Sequence, residues 1–127
     1  MSFSNYLENK ILDHSLGLTT YTKPAAVYLA LFTSDPGETG SGTEVSTGGY
    51  ARQAIVFSAA SGGATSNTSS LTFTASGSGF GTVTHLGIYD AITGGNLLYY
   101  SSVGTPRTIA AGESLLLAAG DFDIQLD

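Results

Sequence analysis

The length of 127 residues predicts a single domain with a hydrophobic core of its own. The net charge of -6, with four lysines and arginines in all, excludes a basic patch for nucleic acid or for an anionic membrane surface. The absence of cysteine excludes disulfides, thiolate metal sites and cysteine nucleophiles. No apolar run approaches the roughly 18 residues of a membrane span, and the first residues lack the basic and apolar regions of a signal peptide.

Residues 1–17 have the spacing of an amphipathic helix. Ser4, or alternatively Ser2, is the predicted N-cap, and Gly17 is the predicted stop. Because about three turns are unstable alone, the helix must pack on its own domain or on a neighbouring subunit. The residues that recur every three or four positions, together with two that widen their face, are Phe3, Leu7, Ile11, His14, Tyr6 and Leu12.

After Pro24 the apolar period changes to that of β-strands. Residues 58–70 are uncharged and low in complexity, which predicts a loop. In the last strand Phe122, Ile124 and Leu126 are predicted to point inward. Short strands separated by glycine-rich turns predict an antiparallel β-sandwich or jelly roll over residues 25–127. The predicted strands are 25–33, 50–57, 71–74, 81–90, 97–103, 107–110, 115–117 and 121–127, with a hairpin turn at 93–96.

Residues 34–49 form a long predicted loop that holds three acidic residues, five glycines and no base. A loop of this length inside a compact domain is uncommon unless it is functional or disordered. No reactive constellation accompanies it, so we expect a protein that binds other proteins, with the acidic loop facing basic groups or backbone amides of the partner. The predicted contact residues are Phe3, Tyr6, Leu7, Asp35, Glu38, Glu44, Tyr50 and Arg52.

Other polar residues allow weaker hypotheses. The two histidines, His14 and His85, are predicted to be structural, because no spacing of paired histidines suggests a zinc site. No nucleophile elbow or phosphate loop is present, so we predict no catalytic, cofactor or metal site. The acids of the long loop, and separately Asp121, Asp123 and Asp127, allow calcium binding as an alternative to solvated surface charge. A sugar-stacking platform is a further alternative to strand packing for Tyr28, Tyr50, Tyr89, Tyr99 and Tyr100.

Three segments carry a resemblance to a known family: SNYLENKILDH, YLALFTSDPGETGSGTEVSTGGYARQ and THLGIYDAITGGNLLYY. In this order they resemble small structural proteins of tailed-phage virions that are often labelled "phage tail fibre protein". A small β-sandwich protein of this size also resembles the capsid decoration (cement) proteins. The resemblance implies a non-enzymatic virion protein that is assembled in the host cytoplasm, forms homo-oligomers and contacts other phage structural proteins. A decoration protein that braces the capsid is the first expectation, and a tail-fibre or baseplate component that attaches to the host, for instance through a glycan, is the alternative.

Overall fold

The computed structural model describes residues 1–126. It is built mainly of antiparallel β-strands, with one short helix near the N-terminus, and so confirms the predicted fold class. The elements are β1 (Ser2–Phe3), α1 (Asn5–Ser15), β2 (Val27–Phe32), β3 (Gln53–Ile55), β4 (Ala64–Ser66), β5 (Leu71–Thr74), β6 (Gly81–Tyr89), β7 (Leu97–Ile109), β8 (Ser114–Leu117) and β9 (Asp123–Gln125).

The strands form one large and two small sheets. The large sheet has five strands in the order β1-β7-β6-β2-β3, and the small sheets pair β4 with β9 and β5 with β8. The main core contains Leu29 and Leu31 of β2 together with Phe73, Leu115 and Ile124 from the small sheets, all nearly inaccessible to solvent. The small sheets therefore cover one face of the large sheet, in a sandwich-like arrangement.

The opposite, outer face of the large sheet is also buried over part of its area. Because side chains alternate along a strand, Ala30 and Phe32 of β2 point away from the main core. They form a second apolar cluster with Tyr89 and Leu97. Gly87 lies in this cluster, and a Cβ atom there would come within 2.9 Å of both Leu97 and Phe32. Any side chain at this point of β6 would therefore displace Leu97 or Phe32.

The ends of the helix were predicted correctly, but its apolar face only in part, since Leu7 is buried and Tyr6 and Ile11 are half-buried while Leu12 and His14 are exposed. The Ser4 hydroxyl accepts a hydrogen bond from the Leu7 amide at 3.2 Å, as expected of an N-cap, and Gly17 lies just beyond the helix with φ 79°. Phe3, however, belongs to β1 and pairs with Tyr99 of β7. Leu7 is the one buried residue of the helix. Phe3 cannot belong to the apolar face of the helix, because it pairs with β7 at the edge of the large sheet.

The predicted loop at 58–70 is wrong in its middle. Residues Ala64–Ser66 form β4, which pairs with β9 through the register Thr65 to Ile124. A bridge between Phe57 and Asn67 precedes it. A run of serine, threonine and alanine shows little alternation of apolar and polar residues. The strand is therefore determined by its pairing with the distant β9 and not by its own sequence.

Two further predictions near the C-terminus need correction. The strands predicted at 97–103 and 107–110 are one strand, β7, interrupted by a bulge that shifts the register between Val83 and His85 of β6. Phe122 and Ile124 point inward as predicted, but Leu126 is 53% exposed because β9 ends at Gln125. Asp127 lies outside the described residues.

Candidate interaction surface

The long acidic loop is folded back onto the outer face of the large sheet. Pro36 is among the fully buried residues of the chain. The Asn5 amide donates a hydrogen bond to the Glu38 carbonyl at 3.0 Å, which links the loop to the start of α1. The Val45 amide donates to the Leu31 carbonyl at 2.9 Å, which fixes the end of the loop to β2. The loop is therefore attached to the domain at several points along its length.

Arg52 connects this loop to the turn between β6 and β7. Its Nε and Nη2 atoms donate to the two carboxylate oxygens of Glu44, each at 2.9 Å. Its Nη1 atom donates to the carbonyls of Ala91 and Gly94, both at 2.8 Å. The guanidinium carbon lies 3.7 Å from the centroid of the Tyr89 ring, which is the geometry of a cation–π contact. One side chain thus joins the acidic loop to the end of β6 and the turn that follows it.

Tyr50 completes the same cluster. Its hydroxyl donates to Glu44 at 2.6 Å and accepts from the Leu31 amide at 3.1 Å. Glu44 therefore receives hydrogen bonds from both Arg52 and Tyr50, which together satisfy both of its oxygens. We call Glu44, Tyr50, Arg52 and Tyr89 the Arg52 cluster.

The pKa values in the Arg52 cluster reflect burial and mutual pairing. Burial opposes ionisation of Glu44, but the hydrogen bonds from Arg52 and Tyr50 and the positive charge of Arg52 outweigh it and lower the pKa of the carboxyl. Burial also acts to lower the pKa of Arg52, and the hydrogen bond and charge of Glu44 raise it overall. Burial, followed by the hydrogen bond to Glu44, raises the pKa of Tyr50. At neutral pH the cluster is a carboxylate paired with a guanidinium and a neutral phenol.

The eight predicted contact residues fall into three groups. Glu44, Tyr50 and Arg52 lie together, and their polar groups bond one another. Tyr6 and Glu38 line a common cleft between the helix and the loop. The others lie apart: Leu7 is 3% exposed beneath the helix, Phe3 packs edge-on against Tyr99 with 4.9 Å between ring centroids, and the Asp35 side chain is 64% exposed.

An exposed apolar surface at the end of α1 was not predicted. Leu12, Leu16 and Leu18 are 55%, 71% and 73% exposed. Leu12 and Leu16 are four residues apart and so lie on the same side of the helix. The sequence does contain a signal for this surface, because Leu16 and Leu18 flank the helix-ending Gly17 and belong to no strand pattern.

The residues behind the weaker hypotheses have structural contacts. The His85 ring lies 2.9 Å from the Thr84 hydroxyl and 3.8 Å from the Asp35 carboxylate. Asp121 accepts a hydrogen bond from the Ala118 amide at 2.9 Å, which closes the turn before β9. Within residues 1–126, no group of three or more histidine, cysteine or acidic side chains has the arrangement of a metal site.

The five tyrosines do not form a common exposed platform. Tyr50 stacks on Phe73 in the main core, with ring centroids 6.2 Å apart. Tyr89 stacks on Phe32 at the same separation in the outer cluster.

No helix in the described part of the chain is long and apolar enough to cross a membrane.

The sequence matches one family model, described as "Podophage GP4 fiber I protein gp80", over residues 2–125. No curated protein matches the chain.

Proposed function

Because the chain belongs to the podophage fibre family described as "Podophage GP4 fiber I protein gp80", we propose that it is a non-enzymatic component of a tail fibre. The family description names a fibre, so it favours the tail-fibre alternative over the capsid-decoration role that was the first expectation. The protein would work by burying surface against other virion proteins and against copies of itself.

The extent of the family match carries this proposal. The matched residues, 2–125, include α1 and all nine strands from β1 to β9. The likeness therefore concerns the whole domain and not a single shared element. The contacts of Glu44, Tyr50 and Arg52 support the non-enzymatic part of the proposal, because these three polar groups bond one another and fix the acidic loop in place.

The contact surface we propose has a direct and an indirect part. Tyr6, Asp35 and Glu38 are partly or fully accessible and would touch the partner directly. Glu44, Tyr50 and Arg52 would act indirectly, by holding the loop that carries the two exposed acids. Phe3 and Leu7 would position the helix against β7. The exposed leucines at the end of α1 supply the apolar surface that such a contact needs, since clustered exposed apolar side chains often mark protein interfaces.

Immunogold labelling of intact virions tests the location. We expect label on the tail, at the position of the fibres. Label confined to the capsid would overturn the fibre assignment and support a decoration protein. Label at neither position would overturn both assignments.

A pair of variants tests the apolar contact. Leu16→Ser combined with Leu18→Ser should reduce incorporation of the protein into virions without lowering its melting temperature, because both side chains are mostly exposed. Val56→Ser is the matched control, since Val56 is 65% exposed but follows β3, at the opposite edge of the large sheet from β1. Equal incorporation of both variants would exclude the leucines from the contact.

A further inference from the structure

A cleft of about 310 Å³ lies where three segments meet: the start of α1, the acidic loop and the turn between β6 and β7. Its lining includes Tyr6, Glu38, Thr39, Tyr89 and Asn96. The volume is at the lower end of the range for small-molecule sites, which fits a ligand of one or two ring units.

The hydroxyl group of Tyr89 is the feature that suggests a ligand. The residue is 8% exposed, and its hydroxyl has no hydrogen-bond partner among residues 1–126. In the same part of the chain every fully enclosed polar side-chain atom has a partner. The Tyr89 hydroxyl must therefore keep some contact with solvent, and the cleft is a solvent space that this residue lines.

Gly40 keeps the approach to this hydroxyl open. A Cβ atom at Gly40 would lie 3.5 Å from the Tyr89 hydroxyl and 3.5 Å from the Cβ of Leu97. Burial raises the pKa of Tyr89, the main opposing effect being the charge of Arg52, so the phenol stays protonated and able to donate a hydrogen bond.

Other polar groups around the cleft are free to bind as well. The Glu38 carboxylate and the Thr39 hydroxyl make no side-chain hydrogen bond within the described chain, and both residues are exposed. The side-chain nitrogen of Asn96 donates a hydrogen bond to the Asp90 carboxylate at 3.0 Å, which leaves the side-chain oxygen of Asn96 as an acceptor. The Tyr6 amide is one of the N–H groups at the start of a helix that have no partner within it.

The balance of charge identifies the class of ligand. None of the lining residues is basic and one, Glu38, is acidic, and the nearby Arg52 is already paired with Glu44, so the lining offers no ionic partner to a phosphate, a sulfate or a sugar acid. The positive end of the α1 dipole points at the same cleft and disfavours a cation. A neutral hydroxyl group both donates and accepts hydrogen bonds, and the cleft offers donors and acceptors side by side. Tyr6 also lines the cleft, and the ammonium of Lys10 lies 5.6 Å from the centroid of its ring, so the ring edge and its hydroxyl are the parts open to a ligand.

We propose that this cleft binds a neutral saccharide of one or two sugar units. The proposal names a ligand for this surface and does not depend on where the chain sits in the virion. Failure of saccharide binding would leave the fibre assignment standing, and label on the capsid would leave the saccharide site standing.

Titration of the isotope-labelled 127-residue chain, followed by amide NMR spectra, tests the proposal. The probes are glucose, galactose, mannose, rhamnose, N-acetylglucosamine, maltose and lactose, with sialic acid and glucosamine as charged comparisons. We expect at least one neutral sugar to shift the amide signals of Tyr6, Glu38 and Asn96 in a saturable manner. No saturable shift with any neutral sugar, or tighter binding of a charged probe, would overturn the proposal.

Conservative variants locate the binding. Tyr89→Phe keeps the ring beneath Arg52 and removes only the hydroxyl, and Glu38→Gln removes only the charge. Each should weaken sugar binding about three- to tenfold, because Tyr89→Phe loses one hydrogen bond and Glu38→Gln replaces a charged acceptor by a weaker neutral one. Tyr28→Phe and Asp35→Asn are the matched controls, because neither residue lines the cleft. Affinity unchanged by both cleft variants would exclude this site even if the protein binds sugar.

Discussion

Two segments without a clear strand pattern, the acidic residues 34–49 and the uncharged residues 58–70, are held in place by different forces. The first depends on side chains, chiefly the Arg52–Glu44 pair with its contacts to Ala91 and Gly94. The second depends on backbone pairing, through β4 and the hydrogen bond from the Ser58 amide to the Ser66 carbonyl at 3.0 Å. Low complexity in a sequence therefore says little about how firmly a segment is fixed.

Because the two segments are held differently, they should differ in how strongly a single substitution loosens them. A segment whose attachments include a partly buried ion pair can be loosened by changing one residue or one charge, whereas backbone pairing persists through most substitutions. The second segment has one comparable side chain, Asn67, which is 2% exposed. Its amide donates to the carbonyls of Ser69 and Ala118 at 2.9 and 3.0 Å and accepts from the Phe122 amide at 2.9 Å.

The largest effect is expected for Arg52→Met. This change leaves Glu44 without its ionic partner and two carbonyls without their donor, and it should lower the free energy of unfolding by about 3 kcal/mol. Urea unfolding measures the loss. Amide hydrogen exchange should quicken in residues 37–45 and stay unchanged in residues 64–66.

Arg107→Met is the control for this prediction, because Arg107 is exposed and should change stability by about 0.5 kcal/mol or less. Equal acceleration of exchange in both segments would contradict the proposed difference between them.

Asn67→Ala should have the next largest effect, about 2 kcal/mol, because three buried backbone groups lose their partner. The expected pattern of amide hydrogen exchange is the reverse of that for Arg52→Met: exchange should quicken in residues 64–66 and stay unchanged in residues 37–45. Asn67→Asp is a useful companion, since it keeps the acceptor for Phe122 but loses the two donated bonds. A loss below 0.5 kcal/mol, by the same urea measurement, would show that β4 needs no side-chain support.

Tyr50→Phe should lower stability by about 1 kcal/mol, because the Glu44 carboxylate loses a donor and the Leu31 amide loses an acceptor. Thermal unfolding is sufficient to detect this change. Tyr28→Phe, which removes a hydroxyl with no hydrogen-bond partner within residues 1–126, should leave the melting temperature unchanged. Equal effects of the two variants would mean that the phenol of Tyr50 contributes only through its ring.

The smallest effect is the pH dependence of the Arg52–Glu44 pair. The pKa of Glu44 is lowered in the folded state, so its ionised form stabilises the protein above the unfolded pKa of about 4.3, and this stabilisation is lost as the pH falls through the folded pKa. Glu44→Gln should therefore be less stable than the wild type near about pH 7, and the difference should narrow near about pH 3. A difference that is constant with pH would contradict the pairing.

The sequence predicted those parts of the fold that depend on local pattern. The apolar run of β2, the Ser4 cap and the alternation of Phe122 and Ile124 were all readable, because each is determined by neighbouring residues. The assignment of Phe3 to the helix was wrong because a contact with Tyr99, far along the chain, competes with helix formation. The strand β4 was missed for the same reason.

The site was less predictable than the fold. Glu44, Tyr50 and Arg52 were selected individually, from their position in and beside an unusual loop. Their mutual bonding is a tertiary contact, and the further bonds of Arg52 go to backbone carbonyls of the turn after β6, which carry no sequence signal. Whether these residues reach a partner stays a prediction. The cleft at Tyr6 and Glu38 could not be predicted either. Tyr89 lines it, and the alternating pattern of β6 predicts only that such a tyrosine packs within the protein.

The pairing of Ser2 with Tyr100 has a consequence for the order of events during synthesis. The first strand emerges from the ribosome early but cannot find its neighbour until nearly four-fifths of the chain has followed. Until residues 99 and 100 have been made, that edge of β7 does not exist and residues 2 and 3 stay unpaired. Pairing of β1 therefore has to follow synthesis of β7, and a label attached to Met1 would report when this edge closes.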